Sequence, residues 1–202
     1  DTEGMTKIAY MSLTGKVKDI VDELGGLSLG RPYSGGSYTI SDNGRYAFTY
    51  GNVYNPADLA VGFNGSKNRL TKLNDDLFMY KSLGKVEEVW YSSSYDGKKI
   101  QGWLVYPPNF DPNKKYPLIL EIHGGPFTNY GFRFSAEVQL FASAGNLVLY
   151  TNPRGSTSYG KDFANLIHHN YPSQDYDDLM SGVDHVIERG YVDENNLFVT
   201  GG

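Results

Sequence analysis

The sequence predicts an α/β domain whose strands are buried on both faces, preceded by a β-rich half of short strands joined by glycine turns. Three observations predict this. Up to about Tyr80, apolar and polar residues alternate, and the alternation is broken at pairs such as Asn43-Gly44 and Asn64-Gly65. Past that point, unbroken apolar runs appear at Leu118-Ile119-Leu120 and Leu147-Val148-Leu149, as in strands covered on both sides. A helical pattern, "DYDDLMSGVDHVIERG", then separates two strands, which is the connection that parallel pairing needs.

Taken in order, "KIAYMSLTGKVKDIV" reads as a hairpin, with Ile8 and Tyr10 ahead of Thr14-Gly15. In "SYTISDNGRYAFTYG", Tyr38 and Ile40 lead into Asn43-Gly44, expected to form a type I′ turn, and Tyr46, Phe48 and Tyr50 resume the period of two. "DLAVGFNGSKNRLTKL" repeats the pattern, with Leu59, Val61 and Phe63 before Asn64-Gly65. The first and third stretches match at an offset of roughly 50 residues, about the length of one propeller blade. An ordinary β-meander is the alternative. A single blade cannot cover its own faces, so a repeat implies neighbouring blades. The opening "DTEGMT" carries no strand cap and is expected to be a cut.

The second half changes period. "EEVWYSSSYDGKKIQGWLVYPP" reads as a hairpin turned at Asp96-Gly97, and "YPLILEIHGG" as a buried strand. "SAEVQLFASAG" is helical and closed by Gly145, and "NLVLYTNPRGS" is a second buried strand. In the next helix Tyr176, Leu179, Met180, Val183 and Ile187 recur at helical spacing. Asp175, Asp177 and Asp178 suit its N-terminal dipole, Arg189 its last turn and Gly190 its C-cap. "NNLFVTGG" is the following strand, running directly into two glycines.

The chain has 202 residues, enough for one large domain or two small ones, and a net charge of -5. No Lys or Arg run is present, so nucleic acid and anionic membrane are not expected partners. Cysteine is absent, which excludes disulfides and thiol chemistry. No apolar stretch approaches the ~20 residues of a membrane span. No signal-peptide pattern is visible, and cytoplasmic and periplasmic or secreted locations stay open.

The stretch that carries chemistry is "EIHGGPFTNYG", at the exit of a buried strand. Two glycines and a proline after a histidine make a sharp loop that leaves backbone N–H groups free to face a substrate. In α/β-hydrolases the loop after the third strand supplies one oxyanion donor, and the residue after the nucleophile supplies the other. A plain turn is the alternative reading. His123 is expected to hold the loop by hydrogen bonds. His168-His169 lack the carboxylate spacing of a metal site, and no metal or cofactor is expected. His185 is expected in solvent, the three aspartates as helix-start charges, and Arg154 as a brace in a buried ion pair. Phe127, Tyr130 and Phe132 suit a substrate cleft and plain packing equally.

"HGGP", "NPRGSTSYG" and "DYDDLMSGVDHVIERGYVDENNLFVTGG", in that order, resemble the prolyl oligopeptidase family of serine peptidases, nearest its acylaminoacyl and dipeptidyl peptidase branch. The resemblance is strong from Tyr116 to Gly202 and loose before Tyr80. It implies an α/β-hydrolase fold, with the N-terminal part of the doubly wound sheet over 81–202 and the last blades of a β-propeller over 1–80. It implies that Gly125 gives its backbone N–H to the oxyanion, with Gly124 as the fallback. Some relatives have a tyrosine where His123 stands and use its hydroxyl instead; this chain departs from them. Gly201 and Gly202 match the first two positions of the Gly-x-Ser-x-Gly elbow. The nucleophilic serine, and after it the acid and histidine, are then expected beyond Gly202, so that this stretch alone has no activity and folds poorly. The implied activity is cleavage of short peptides through an acyl-enzyme, with the propeller restricting entry and a homodimer of the full-length protein. A carboxylesterase of the same fold and an inactive binding relative are the competing readings.

Overall fold

Turn chemistry organises the first of two units, which takes in residues up to Lys81 together with Gly131–Ser135. The computed structural model describes residues 2–202. Strands β1 (Ile8–Met11) and β2 (Val17–Val21) pair antiparallel across Gly15, whose φ is 81°. β3 (Tyr38–Ile40), β4 (Tyr46–Asn52), β5 (Asn55–Phe63) and β6 (Ser66–Arg69) form a four-stranded antiparallel meander in chain order. Phe48, Tyr46 and Ala60 from the meander pack with Ile8, Val21 and Leu24 as this unit's core. A short helix, α1 (Asp75–Phe78), follows, and its Asp75 pairs with Arg69, which also reaches the buried Asp58.

The type I′ turn expected at Asn43-Gly44 is not formed. Only Gly44 of the pair has positive φ (78°), and Ser41 N–H donates to the Arg45 carbonyl at 2.8 Å across a wider loop. The Ser41 hydroxyl explains this: it donates to Asn43 Oδ1 at 2.8 Å and lies 2.9 Å from the Arg45 carbonyl, a local alternative to the tight turn. Asn64-Gly65 does have the paired positive φ of a type I′ turn, 50° and 82°, and Phe63 pairs directly with Ser66.

The second unit, Ser82–Tyr130 with Ala136–Gly202, holds a five-stranded mixed sheet. β7 (Val86–Ser92) and β8 (Lys99–Val105) form its antiparallel hairpin. β9 (Tyr116–Ile122), β10 (Leu147–Asn152) and β11 (Val192–Gly201) run parallel to one another, and the spatial order is β11-β9-β10-β8-β7. Helix α2 (Ala136–Ser143) connects β9 to β10 and ends at Gly145, φ 92°. A helical turn α3 (Lys161–Ala164), a 3-10 turn and helix α4 (Asp175–Ile187) connect β10 to β11. Every residue of β10 is buried, as its unbroken apolar run implies. Leu104, Leu118, Leu120, Leu147 and Leu149 of the sheet pack with Val183 and Val186 of α4.

Helix α4 packs by most of its expected stripe: Val183 is buried in the core and Leu179, Met180 and Ile187 pack against it. Its buried line runs Asp175, Asp178, Gly182, Val186, at steps of three and four. Tyr176, in the first turn, is the exception and is 64% exposed. Asp178, expected as a helix-start charge, is buried and pairs with Arg154.

Candidate active site

Parallel pairing puts the exits of β9, β10 and β11 at one end of the sheet, where open α/β sheets bind ligands. Gly201 pairs with Ile122, so the Gly201-Gly202 bend leaves β11 beside the His123-Gly124-Gly125 bend leaving β9. The approach is tight: a Cβ on Gly124 would collide with the Gly202 carbonyl oxygen. Gly125 has φ 137°, a conformation that favours glycine, and a Cβ there would stand 2.9 Å from Thr128 Cγ2. Ile122, His123, Gly124, Val199, Thr200, Gly201 and Gly202 line an open pocket of about 430 Å³ between the bends.

His123 is buried, and hydrogen-bond partners hold its ring at both nitrogens. Nδ1 lies 3.1 Å from the Gly124 carbonyl and Nε2 lies 3.0 Å from Ser156 Oγ. The Tyr130 ring packs edge-on against it at 5.1 Å. Burial pushes the His123 pKa below its ordinary value, while Gly124 and Asn152 favour the protonated ring. The histidine therefore serves the loop, as its place in the motif suggests.

The β10 exit is braced from below. Arg154 grips Asp178 through Nε at 2.9 Å and Nη2 at 2.7 Å, and its own backbone N–H adds a third bond at 2.8 Å. Its guanidinium also reaches Asp96 at 3.1 Å and Ser93 Oγ at 3.1 Å in the β7–β8 turn. Arg154 and Asp178 are both buried, so each charge is compensated by geometry of the kind that buried pairs require. Lys98 and Arg154 hold the Asp96 carboxyl down at about 2. This is the bracing role expected of Arg154.

Other expected residues are dispersed. Tyr130 is fully buried and its hydroxyl donates to Glu121 at 2.6 Å, which decides for packing. Phe127 is half exposed. Phe132 lies in the first unit, outside the candidate site. His168 and His169 are exposed, and their rings meet at a tilt with centroids 4.0 Å apart. Among the described residues, no group of three or more His, Cys, Asp or Glu is arranged to hold a metal ion. His185, expected in solvent, is partly buried: it stacks on Tyr91 at 5.9 Å, because the β7 ring passes under that face of α4.

Two site residues escape the sequence reading. Tyr171, 60% exposed, lines the pocket beside both bends. Ser156 touches His123. Both stand in the connection leaving β10 at the strands' carboxyl end, where no periodic pattern marks single residues.

The comparisons with known proteins agree with this geometry. The prolyl oligopeptidase family matches residues 132–202. The uncharacterized peptidase YuxL of Bacillus subtilis (strain 168) is 34% identical over 202 residues, which is 99% of this chain and 30% of that protein. The probable dipeptidyl-peptidase 5 of Aspergillus terreus is 40% identical over 114 residues, 53% of this chain and 16% of that one. Among solved structures, Pyrococcus horikoshii acylaminoacyl peptidase superposes with a TM-score of 0.83 at 25% identity, covering 99% of this chain and 30% of that chain. The chain thus spans less than a third of the length of each of these relatives.

Proposed function

Residues 132–202 belong to the prolyl oligopeptidase family, and from that premise we propose that the protein containing this chain is a serine peptidase cleaving short peptides by acyl-enzyme formation. The acylaminoacyl- or dipeptidyl-peptidase type is part of the proposal, taken from the names of the relatives. The single observation that carries it is the adjacency of the two bends, with Gly124 against Gly202 at the ends of paired parallel strands.

In the proposed reaction the residue after Gly202 is a serine, lifted by the Gly201-Gly202 turn and activated by a histidine further along the chain. Its hydroxyl attacks the scissile carbonyl, the histidine takes its proton, and the carbonyl oxygen becomes an oxyanion. The Gly125 N–H is the donor supplied by this chain, and Gly124 is the alternative. One such donor lowers the barrier by about 3–4 kcal/mol. The buried Arg154–Asp178 pair keeps the β10 exit rigid under that loop. The blade-like meander of the first unit supports the further proposal that the whole protein carries a β-propeller, which simple esterases lack.

The test is hydrolysis by the full-length protein of N-acylated and dipeptidyl chromogenic amides. Turnover of at least one class, abolished by a fluorophosphonate, is expected. Absence of both turnover and labelling would sink the proposal.

A further inference from the structure

Asn152, the last residue of β10, is completely buried, and its amide pairs with both polar backbone groups of one residue. Its Oδ1 accepts from the Tyr130 N–H at 2.8 Å, and its Nδ2 donates to the Tyr130 carbonyl at 2.9 Å and to the Tyr159 hydroxyl at 2.7 Å. The orientation of this amide is unambiguous. A backbone N–H only donates and a backbone carbonyl only accepts, so Tyr130 decides which end of the side chain is oxygen. An aspartate of the same shape would offer a second acceptor where the Tyr130 carbonyl needs a donor.

Tyr130 closes the segment that leaves β9 through His123, Gly124 and Gly125. Its hydroxyl donates to Glu121 of β9 at 2.6 Å, and its ring lies edge-on to His123 at 5.1 Å. Asn152 also hydrogen-bonds the His123 ring, so one side chain grips the loop at its start and at its end. Asn129 Nδ2 shares the Tyr130 carbonyl at 3.0 Å, but it belongs to the loop and cannot anchor it to the sheet. Holding a loop at both ends spares it the entropy that a mobile donor would lose on meeting an oxyanion. We propose that Asn152 is a positioning residue, which by pairing with both backbone groups of Tyr130 ties the loop after β9 to the end of β10 and so holds the Gly124–Gly125 bend in place. The catalytic consequence rests on the peptidase reading, and the tie itself on the hydrogen bonds alone. Asn152 acts through the loop and not on the substrate.

Two readouts in the full-length protein test it. Asn152→Asp keeps the shape and the acceptor for the Tyr130 N–H, and exchanges the donor for a second acceptor. Amide hydrogen exchange is expected to quicken across 123–130, while α4 and the β3–β6 meander keep wild-type rates. In kinetics, kcat is expected to fall ~10²-fold, the cost of a misplacement of about 1 Å, with KM little changed. Asn152→Ala, which buries no charge, is expected to show the same pattern. Wild-type exchange across 123–130 in both variants overturns the proposal. Exchange that quickens throughout the second unit together with a lower Tm also overturns it, because Asn152 then only supports the fold. Quicker loop exchange with an unchanged kcat in an active enzyme would show that the tie does not position the donor. An inert wild type whose variants still show the loop-local change would sink the peptidase reading and leave the tie standing.

Discussion

At the scale of single residues, the site is made by groups that leave no room. Gly124→Ala would drive a methyl into the Gly202 carbonyl, and the account predicts at least a ~10²-fold loss of kcat as one bend is pushed from the other. Steady-state rates of the full-length variant check this; near-normal turnover would contradict it. Asp178→Ala leaves the buried Arg154 with Asp96 alone, and removing one partner of such a pair costs about 3–5 kcal/mol. Denaturant melts measure it, and a loss below about 1 kcal/mol would show that the pair is dispensable. Titration gives a further expectation. Burial lowers the pKa of His123 and, with Arg189, that of His185, below the ordinary 6.5. Both rings are favoured neutral in the fold, so their contribution is complete above 6.5 and declines as pH falls below it towards the lowered values. Asp96, held at about 2, keeps its contribution down to its ordinary value of 3.8 and loses it only below that. Urea midpoints should therefore fall between pH 7 and 5; a flat profile would contradict the burial of both histidines.

At the scale of elements, periodicity and turn residues account for most of what forms. The runs at Leu118 and Leu147 became β9 and β10 because only strands covered on both faces bury consecutive apolar residues without a polar break. Helix α4 was legible in its limits, its Gly190 cap, φ 87°, and its apolar face, but not in the ion pair it makes. Its Asp178 turns inward to pair with a distant arginine, and no local pattern encodes a partner 24 positions away. The Asn43-Gly44 turn failed for a smaller reason, the competing hydroxyl of Ser41. At the site, the two glycine bends were legible as motifs, whereas Ser156 and Tyr171 were not, since a hydroxyl and a ring in loops carry no periodic signal. The type I′ pair Asn64-Gly65 offers a test at this scale. Gly65→Ala forces a side chain to φ 82° and is expected to cost about 1 kcal/mol. Thermal melts check it; an unchanged or raised Tm would mean that the hairpin relaxes freely.

At the scale of the whole molecule, topology rather than sequence proximity assembles the chemistry. The β9 and β11 bends are far apart along the chain, and they meet because parallel strands with an intervening crossover end on the same side of a sheet. The order β11-β9-β10-β8-β7 puts β9 beside both β10 and β11, so the β9 bend sits between the braced β10 exit and the β11 bend. The most direct measurement is a crystal structure of the full-length protein after reaction with a fluorophosphonate. The account predicts the adduct on a serine immediately following Gly202, with a phosphoryl oxygen 2.7–3.1 Å from the backbone nitrogen of Gly125 or Gly124. An adduct on any other residue, or an oxygen turned away from the β9 bend, would contradict it.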